Sequence, residues 1–195
     1  MKRTKSYNCG ASQYCLCLLL SFVGFAGATD IENSIHAKVD RFAKMCARPK
    51  IDSTDLTSEN LSTDGGVVAV RRCPAVNLTR FRVELYGESY QAQTRIYTDG
   101  SLPIFVIDTM VLYNVPYYID SAKAEELNSE VFDMEKADKT VTQAYFQTGR
   151  MISAIEKGRR IERRQERFTE LEKRFLGTLK DVQDVLQKKK AAPQE

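Results

Sequence analysis

Residues 91–118 read QAQTRIYTDGSLPIFVIDTMVLYNVPYY, and this stretch decides the fold. In its first half Gln91, Gln93, Arg95 and Tyr97 alternate with Ala92, Thr94 and Ile96, the period of two of a strand with unlike faces. Thr98-Asp99-Gly100 follows. Asp-Gly between two strand-like runs is a strong hairpin signal, because Gly takes the positive φ of a tight turn without a steric cost. The second half, Leu102 to Tyr118, is apolar, β-branched and aromatic, bracketed by Pro103 and Pro116. Proline cannot donate to a ladder, so the ends of this run belong at an edge or bulge. Its middle, Ile104 to Tyr113, predicts a strand buried on both faces.

The same period extends outward. Upstream, Val68, Val70 and Arg72 alternate with Val67, Ala69 and Arg71 up to Cys73, and Phe81, Val83 and Leu85 alternate with Arg80, Arg82 and Glu84 until Gly87 breaks the run. Downstream, Thr140–Phe146 and Met151–Ile155 flank Gln147-Thr148-Gly149. Ile96-Tyr-Thr-Asp-Gly-Ser-Leu102 aligns without gaps to Tyr145-Phe-Gln-Thr-Gly-Arg-Met151. Two copies are too few for a solenoid, but they imply a sheet assembled from successive antiparallel hairpins. Residues 50–66, rich in Ser, Thr, Asp and Gly, predict a loop. Residues 120–138 are an acidic excursion in which Asp120 or Ser121 caps a short helix through Leu127. Its spacing matches no Ca²⁺ loop, and no metal ligand set emerges elsewhere. Sequons at Asn60 and Asn77 matter only in a eukaryotic secretory route.

These aromatic-x-x-Gly-x-Leu/Met hairpins, with IFVIDTMVLYNVPYYID between them, resemble a loose group of exported bacterial proteins built from curved antiparallel hairpins of the MORN-like or YwqK-like kind. The resemblance covers about residues 80–160 and implies a fold and export, not an activity. The chain departs from that pattern in its charged C-terminal extension.

The N-terminus reads as an address. Lys2, Arg3 and Lys5 precede the apolar run Cys15–Phe25, and Ala26-Gly27-Ala28 follows. That is the layout of a secretory signal peptide cut after Ala28, and the run is shorter than the about 20 apolar residues of a membrane span. The chain holds 29 basic and 26 acidic residues, and the three excess charges are those of the leader, so the mature chain is neutral. Neutrality argues against a nucleic-acid partner. The expected location is periplasmic or secreted, with no membrane span after the leader is removed.

From Asp30 to Ala47 the spacing of Ile31, Ile35, Val39, Phe42 and Cys46 gives a helix with one apolar stripe, capped by Asp30 and ended before Pro49. His36 beside it is a boundary side chain, since it is the single His of the chain. Cys46 and Cys73 are the two cysteines left after the leader. In an oxidising compartment they predict one disulfide, worth roughly 3 kcal/mol for a loop of this size.

The C-terminus predicts a long helix over 159–190, with Ile161, Phe168, Leu171, Phe175, Val182 and Val185 on a heptad track interrupted by Arg164 and Thr178. It forms either a coiled-coil seam or a helix lying along the sheet. At roughly 45 Å it outruns a small domain, so one end should project or meet a partner. Arg159, Arg160, Arg163, Arg164 and Arg167 make a basic cluster beside it. These five, with Phe168, Leu171 and Phe175, are the candidate partner-binding residues, for a protein, a second copy or an anionic surface.

The fold class read here is α+β: an N-terminal helix, a curved antiparallel sheet of successive hairpins and a long C-terminal helix. The domains are a signal peptide (1–28), an α+β body (29–158), the helix (159–190) and a tail (191–195). No phosphate loop, G-x-S-x-G elbow or H-E-x-x-H helix occurs, and nothing in the spacing pairs Asp108, Asp120 or Glu84 as glycosidase carboxylates. No cofactor is implied. The expected function is that of an exported non-enzymatic interaction protein associating through the C-terminal helix. The alternative is a carrier of a small apolar ligand or lipid in the concave face of the sheet.

Overall fold

The computed structural model describes residues 15–46, 52–55 and 64–191, with side chains for 29–46 and 64–188. The basic start Lys2–Lys5, the sequon at Asn60 and the tail from residue 192 lie outside the described residues. The fold is α+β. Helix α1 (Cys15–Met45) leads into strands β1 (Asp52–Asp55), β2 (Gly66–Cys73), β3 (Leu78–Gly87), β4 (Tyr90–Asp99) and β5 (Leu102–Leu112). After the excursion with α2 (Ser121–Leu127) come β6 (Asp138–Gln147), β7 (Arg150–Glu156), β8 (Arg159–Ile161) and α3 (Glu166–Ala191). The eight strands form one open antiparallel sheet in sequence order, each paired with its chain neighbours.

Local chemistry sets the turns. The β6–β7 and β7–β8 connections are Thr148-Gly149 and Lys157-Gly158, with positive φ at both residues of each pair. That is the signature of two-residue turns whose twist matches the flanking strands. The two internally similar hairpins each carry a register shift, at Tyr97/Thr98 and at Tyr145/Phe146, where a bulge bends the strand. Asp120 caps α2 by accepting from the Lys123 backbone N–H at 2.9 Å, and Asn128 ends it with a left-handed backbone.

Each face of the sheet is covered by a helix from one end of the chain. On one face Val68, Val70, Phe81, Val83, Ile96, Val106, Phe146 and Met151 pack against Phe168, Leu171, Phe175, Leu179, Val182 and Val185 of α3. On the other, Ile35, Val39 and Phe42 of α1, with Cys46 directly after it, pack against Cys73, Leu78, Tyr97, Phe105 and Tyr145. Both faces of β5 are buried only around Phe105–Asp108; Thr109–Val111 are half-buried, Leu112 is exposed and Tyr113 lies past the strand, so the expected two-sided burial of Ile104–Tyr113 holds in its first half alone. The Cys46–Cys73 disulfide, Cα–Cα 6.0 Å, ties the end of α1 to the end of β2.

Several expectations are corrected. The segment 159–165 is not helical: Lys157-Gly158 turns the chain back and Arg159–Ile161 forms the edge strand β8, so α3 begins at Glu166. Part of the expected loop at 50–66 is strand β1. Asp30 lies inside α1 and not at its start, because no proline between Cys15 and Asp30 stops the helix.

The length of α3 also has an answer. Its 26 residues span about 39 Å and run across the strands, not along them. Near its start Glu172 accepts from the Met151 N–H of β7, mid-helix Arg174 reaches Asp108 of β5, and near its end Gln183 lies by Ser101. Eight strands at about 4.8 Å spacing are about as wide as the helix is long. Its buried positions follow the period of a straight helix: Leu179, not Thr178, is the residue that reaches the core.

Candidate anion-binding site

The predicted partner-binding residues are brought together by the fold but largely consumed by it. Phe168, Leu171 and Phe175 are at most 5 % exposed, packed on the sheet of their own chain and out of a partner's reach in this packing. Of the arginines, Arg160 grips Glu32 of α1 through two N–H···O bonds of 2.8 and 3.0 Å and also donates to Ser153. Arg163 donates to the Ile152 carbonyl, and Arg167 pairs with Glu156 at 2.7 Å and Glu170 at 3.4 Å. Arg164 pairs with Glu162 on the surface. Arg159 is exposed.

The paired carboxylates give a pH signature. The Arg160 guanidinium holds the Glu32 carboxyl below its ordinary 4.5, and Arg167 does the same to Glu156. A carboxyl depressed in the folded state stabilises the fold fully above its unfolded value and loses that contribution as pH falls through the folded value. Stability should therefore decline below about pH 4.5. In Glu32→Gln and Glu156→Gln the midpoint of urea unfolding, followed from pH 7 to 3, should change less steeply than in the parent. Parallel curves for parent and variants would count against this assignment.

The other candidate carboxylates are separated. Asp108, 3 % exposed, accepts from Thr94 Oγ1 at 2.6 Å and from Arg174 at 2.6 Å beneath α3. Asp120 caps α2. Glu84 lies on the opposite face of the sheet from Asp108, because β3 pairs it with Gln93 while Asp108 pairs with Thr94. No two of them meet for acid–base chemistry. His36 lodges edge-on against Phe105 and Tyr145, with Nε2 2.7 Å from the Tyr145 hydroxyl. Among the described residues, no group of His, Cys, Asp and Glu could hold a metal ion.

What the sequence reading missed lies on the α1 side of the sheet, beyond the end of that helix. Register places Arg71 of β2 directly opposite Arg80 of β3, and Arg82 of β3 directly opposite Arg95 of β4. Arg80 and Arg82 are two apart on one strand, hence on one face. Four guanidinium groups thus gather on three adjacent strands. Directly opposed like charges destabilise a sheet by a few tenths of a kcal/mol or more. Compensation inside the array is thin: Glu84 meets Arg82 at 3.3 Å and is shared with Gln93 and Tyr86. Arg71 donates to the Cys46 carbonyl at 3.2 Å, and Arg80 lies over the Phe42 ring at 5.7 Å. The Nε atoms of Arg71, Arg80 and Arg95 are buried without a hydrogen-bond partner. Burial, then the charges of Arg80 and Arg82, push the Arg71 guanidinium below its ordinary value.

The arrangement concentrates uncompensated positive charge on a half-buried, rigid surface, the condition under which a guanidinium fork binds an oxyanion strongly. The legible signal was the alternation of Arg80 and Arg82 with Phe81 and Val83. A two-residue turn at Glu88-Ser89 then sets Arg82 against Arg95. No protein-family model, no curated protein and no solved structure matches the chain.

Proposed function

We propose that the protein is an exported, non-enzymatic binding protein that docks an anionic partner on the arginine face of its sheet. The observation that carries this reading is the two pairs of directly opposed arginines, Arg71–Arg80 and Arg82–Arg95, with Glu84 the one carboxylate paired to them among the described side chains. Export is supported by the leader-like first 28 residues and by the Cys46–Cys73 disulfide, which persists in an oxidising compartment. Among the described residues no helix is long and apolar enough to cross a membrane.

Two earlier expectations shift. Association through α3 is left to the solvated side of that helix and to exposed Arg159 and Arg164, since its apolar stripe is packed inward. A carrier needs an enclosed apolar volume, whereas helices cover both faces of the sheet here. A cleft of about 330 Å³ between Arg72, Thr79 and Phe81 and the Gln183–Gln187 end of α3 is open, with a mixed lining.

The test uses charge balance. Released from its first 28 residues the chain is neutral, so its net charge gives a cation exchanger no grip, and retention reports a local patch. The released chain should be retained at low salt. Arg82→Glu/Arg95→Glu should elute markedly earlier, and the charge-matched control Arg159→Glu/Arg164→Glu should elute close to the parent. Loss of retention in the control alone would move the docking surface to the C-terminal cluster and end this proposal.

A further inference from the structure

The arginine face has a geometry that selects among anions, and from it we infer that Arg71, Arg80, Arg82 and Arg95 form a site for a phosphate-bearing ligand. The inference rests on the anion-binding reading above and names its chemistry. Each opposed pair sets two guanidinium stems about 5 Å apart across the ladder. A gap of that size lets one oxyanion be gripped from both sides. Along β3 the two pairs are offset by two residues, about 7 Å. The array offers two bridging positions with a combined charge of +4, reduced to +3 by Glu84.

A carboxylate carries one charge and two coplanar oxygens, which a single guanidinium fork satisfies. It leaves the second arginine of a pair opposed and unpaired. A phosphate group carries up to two charges and three oxygens in a tetrahedral array, so it can take a fork from each side and cancel both charges of a pair. The buried Nε atoms of Arg71, Arg80 and Arg95 lack a partner. Because these atoms are closed off from solvent, an incoming phosphate meets the terminal Nη donors of each guanidinium. Gln93, bonded to Glu84 at 2.9 Å, holds that carboxylate on the margin beside Arg82. The site stays rigid because Arg71 is tethered to the Cys46 carbonyl next to the disulfide, and Arg80 rests on Phe42.

The same array predicts a trade between stability and binding. Arg95→Glu turns the Arg82–Arg95 opposition into a cross-strand ion pair, so the variant should melt at or above the parental temperature. It should bind about tenfold more weakly or worse, the usual loss when a charged hydrogen-bonding partner is removed. Arg95→Lys keeps the charge but loses the fork and should fall between.

The experiment is calorimetric titration of the full chain and both variants with inorganic tripolyphosphate and with poly-L-glutamate. It is paired with flotation on vesicles of phosphatidylcholine alone or with one-third phosphatidic acid. Tripolyphosphate binding that weakens in the order parent, Arg95→Lys, Arg95→Glu supports a soluble phosphate ligand. Flotation only with phosphatidic acid, in the same order, supports a phosphate headgroup. Equal or tighter binding of poly-L-glutamate overturns the phosphate assignment while leaving an anion-binding face. Phosphate binding undiminished in Arg95→Glu, or no binding of any of these probes, overturns the site itself.

Discussion

A chain ended after Lys157 will not fold. The cut removes β8 and α3, and with them the cover over Val68, Phe81, Ile96, Val106, Phe146 and Met151. Fully burying one such side chain is worth roughly 1.5–3 kcal/mol, and α3 contributes six buried apolar side chains of its own to that core. Domains of this kind have about 5–15 kcal/mol to lose. A single change makes the same point: Phe175→Ala, at a site 2 % exposed, should cost about 3–5 kcal/mol by transfer and cavity terms together. Far-ultraviolet circular dichroism and limited proteolysis of the truncated chain should show no cooperative melting and rapid digestion. A cooperative transition in the truncated chain would mean that α3 is an appendage, and would restore the helix to the role of a free docking element.

Replacing both Cys46 and Cys73 by Ala should lower the free energy of unfolding by about 3 kcal/mol, the loop-entropy worth of a bridge across 27 positions. Urea titration measures it directly. The loss has a second reading at the arginine face, because Arg71 donates to the Cys46 carbonyl. Freeing the end of α1 loosens that anchor, so anion binding should weaken in the double variant even at temperatures where it stays folded. A stability change below about 1 kcal/mol would show that packing of Phe42 and Val39 alone holds α1 in place.

The sheet was legible because its strands alternate and its turns are short. Phe81-Arg82-Val83-Glu84 and Gln93-Thr94-Arg95-Ile96 announce two-faced strands, and Asp99-Gly100 announces a return. Strand β8 was not legible, because Ile161 falls in phase with the helical track that follows it. Three residues are too few for a period to assert itself. The Lys157-Gly158 turn was the available cue. Strand β1 is four residues in a Ser/Thr/Asp stretch with no apolar alternation. The destination of α3 was beyond the sequence altogether: a stripe of Phe168, Leu171 and Phe175 fits a partner helix or a sheet equally well. The arginine face lay in between. Its members on β3 were visible as an alternation, but their opposition to Arg71 and Arg95 depends on register across two hairpins.

The sequence-ordered sheet has a kinetic consequence. Hairpins with two-residue loops close over short stretches of chain, at little entropic cost and on a timescale of about microseconds. The closing of the α3 face is different in kind. Val68 and Val185 share one core across 117 positions of chain. The ladder can therefore zip locally while its apolar side waits for α3, which follows every strand in the chain. During that interval Phe81, Ile96, Val106 and Phe146 stand bare, the state in which sheet proteins aggregate. Folding of the sheet is committed only when α3 arrives to close that face.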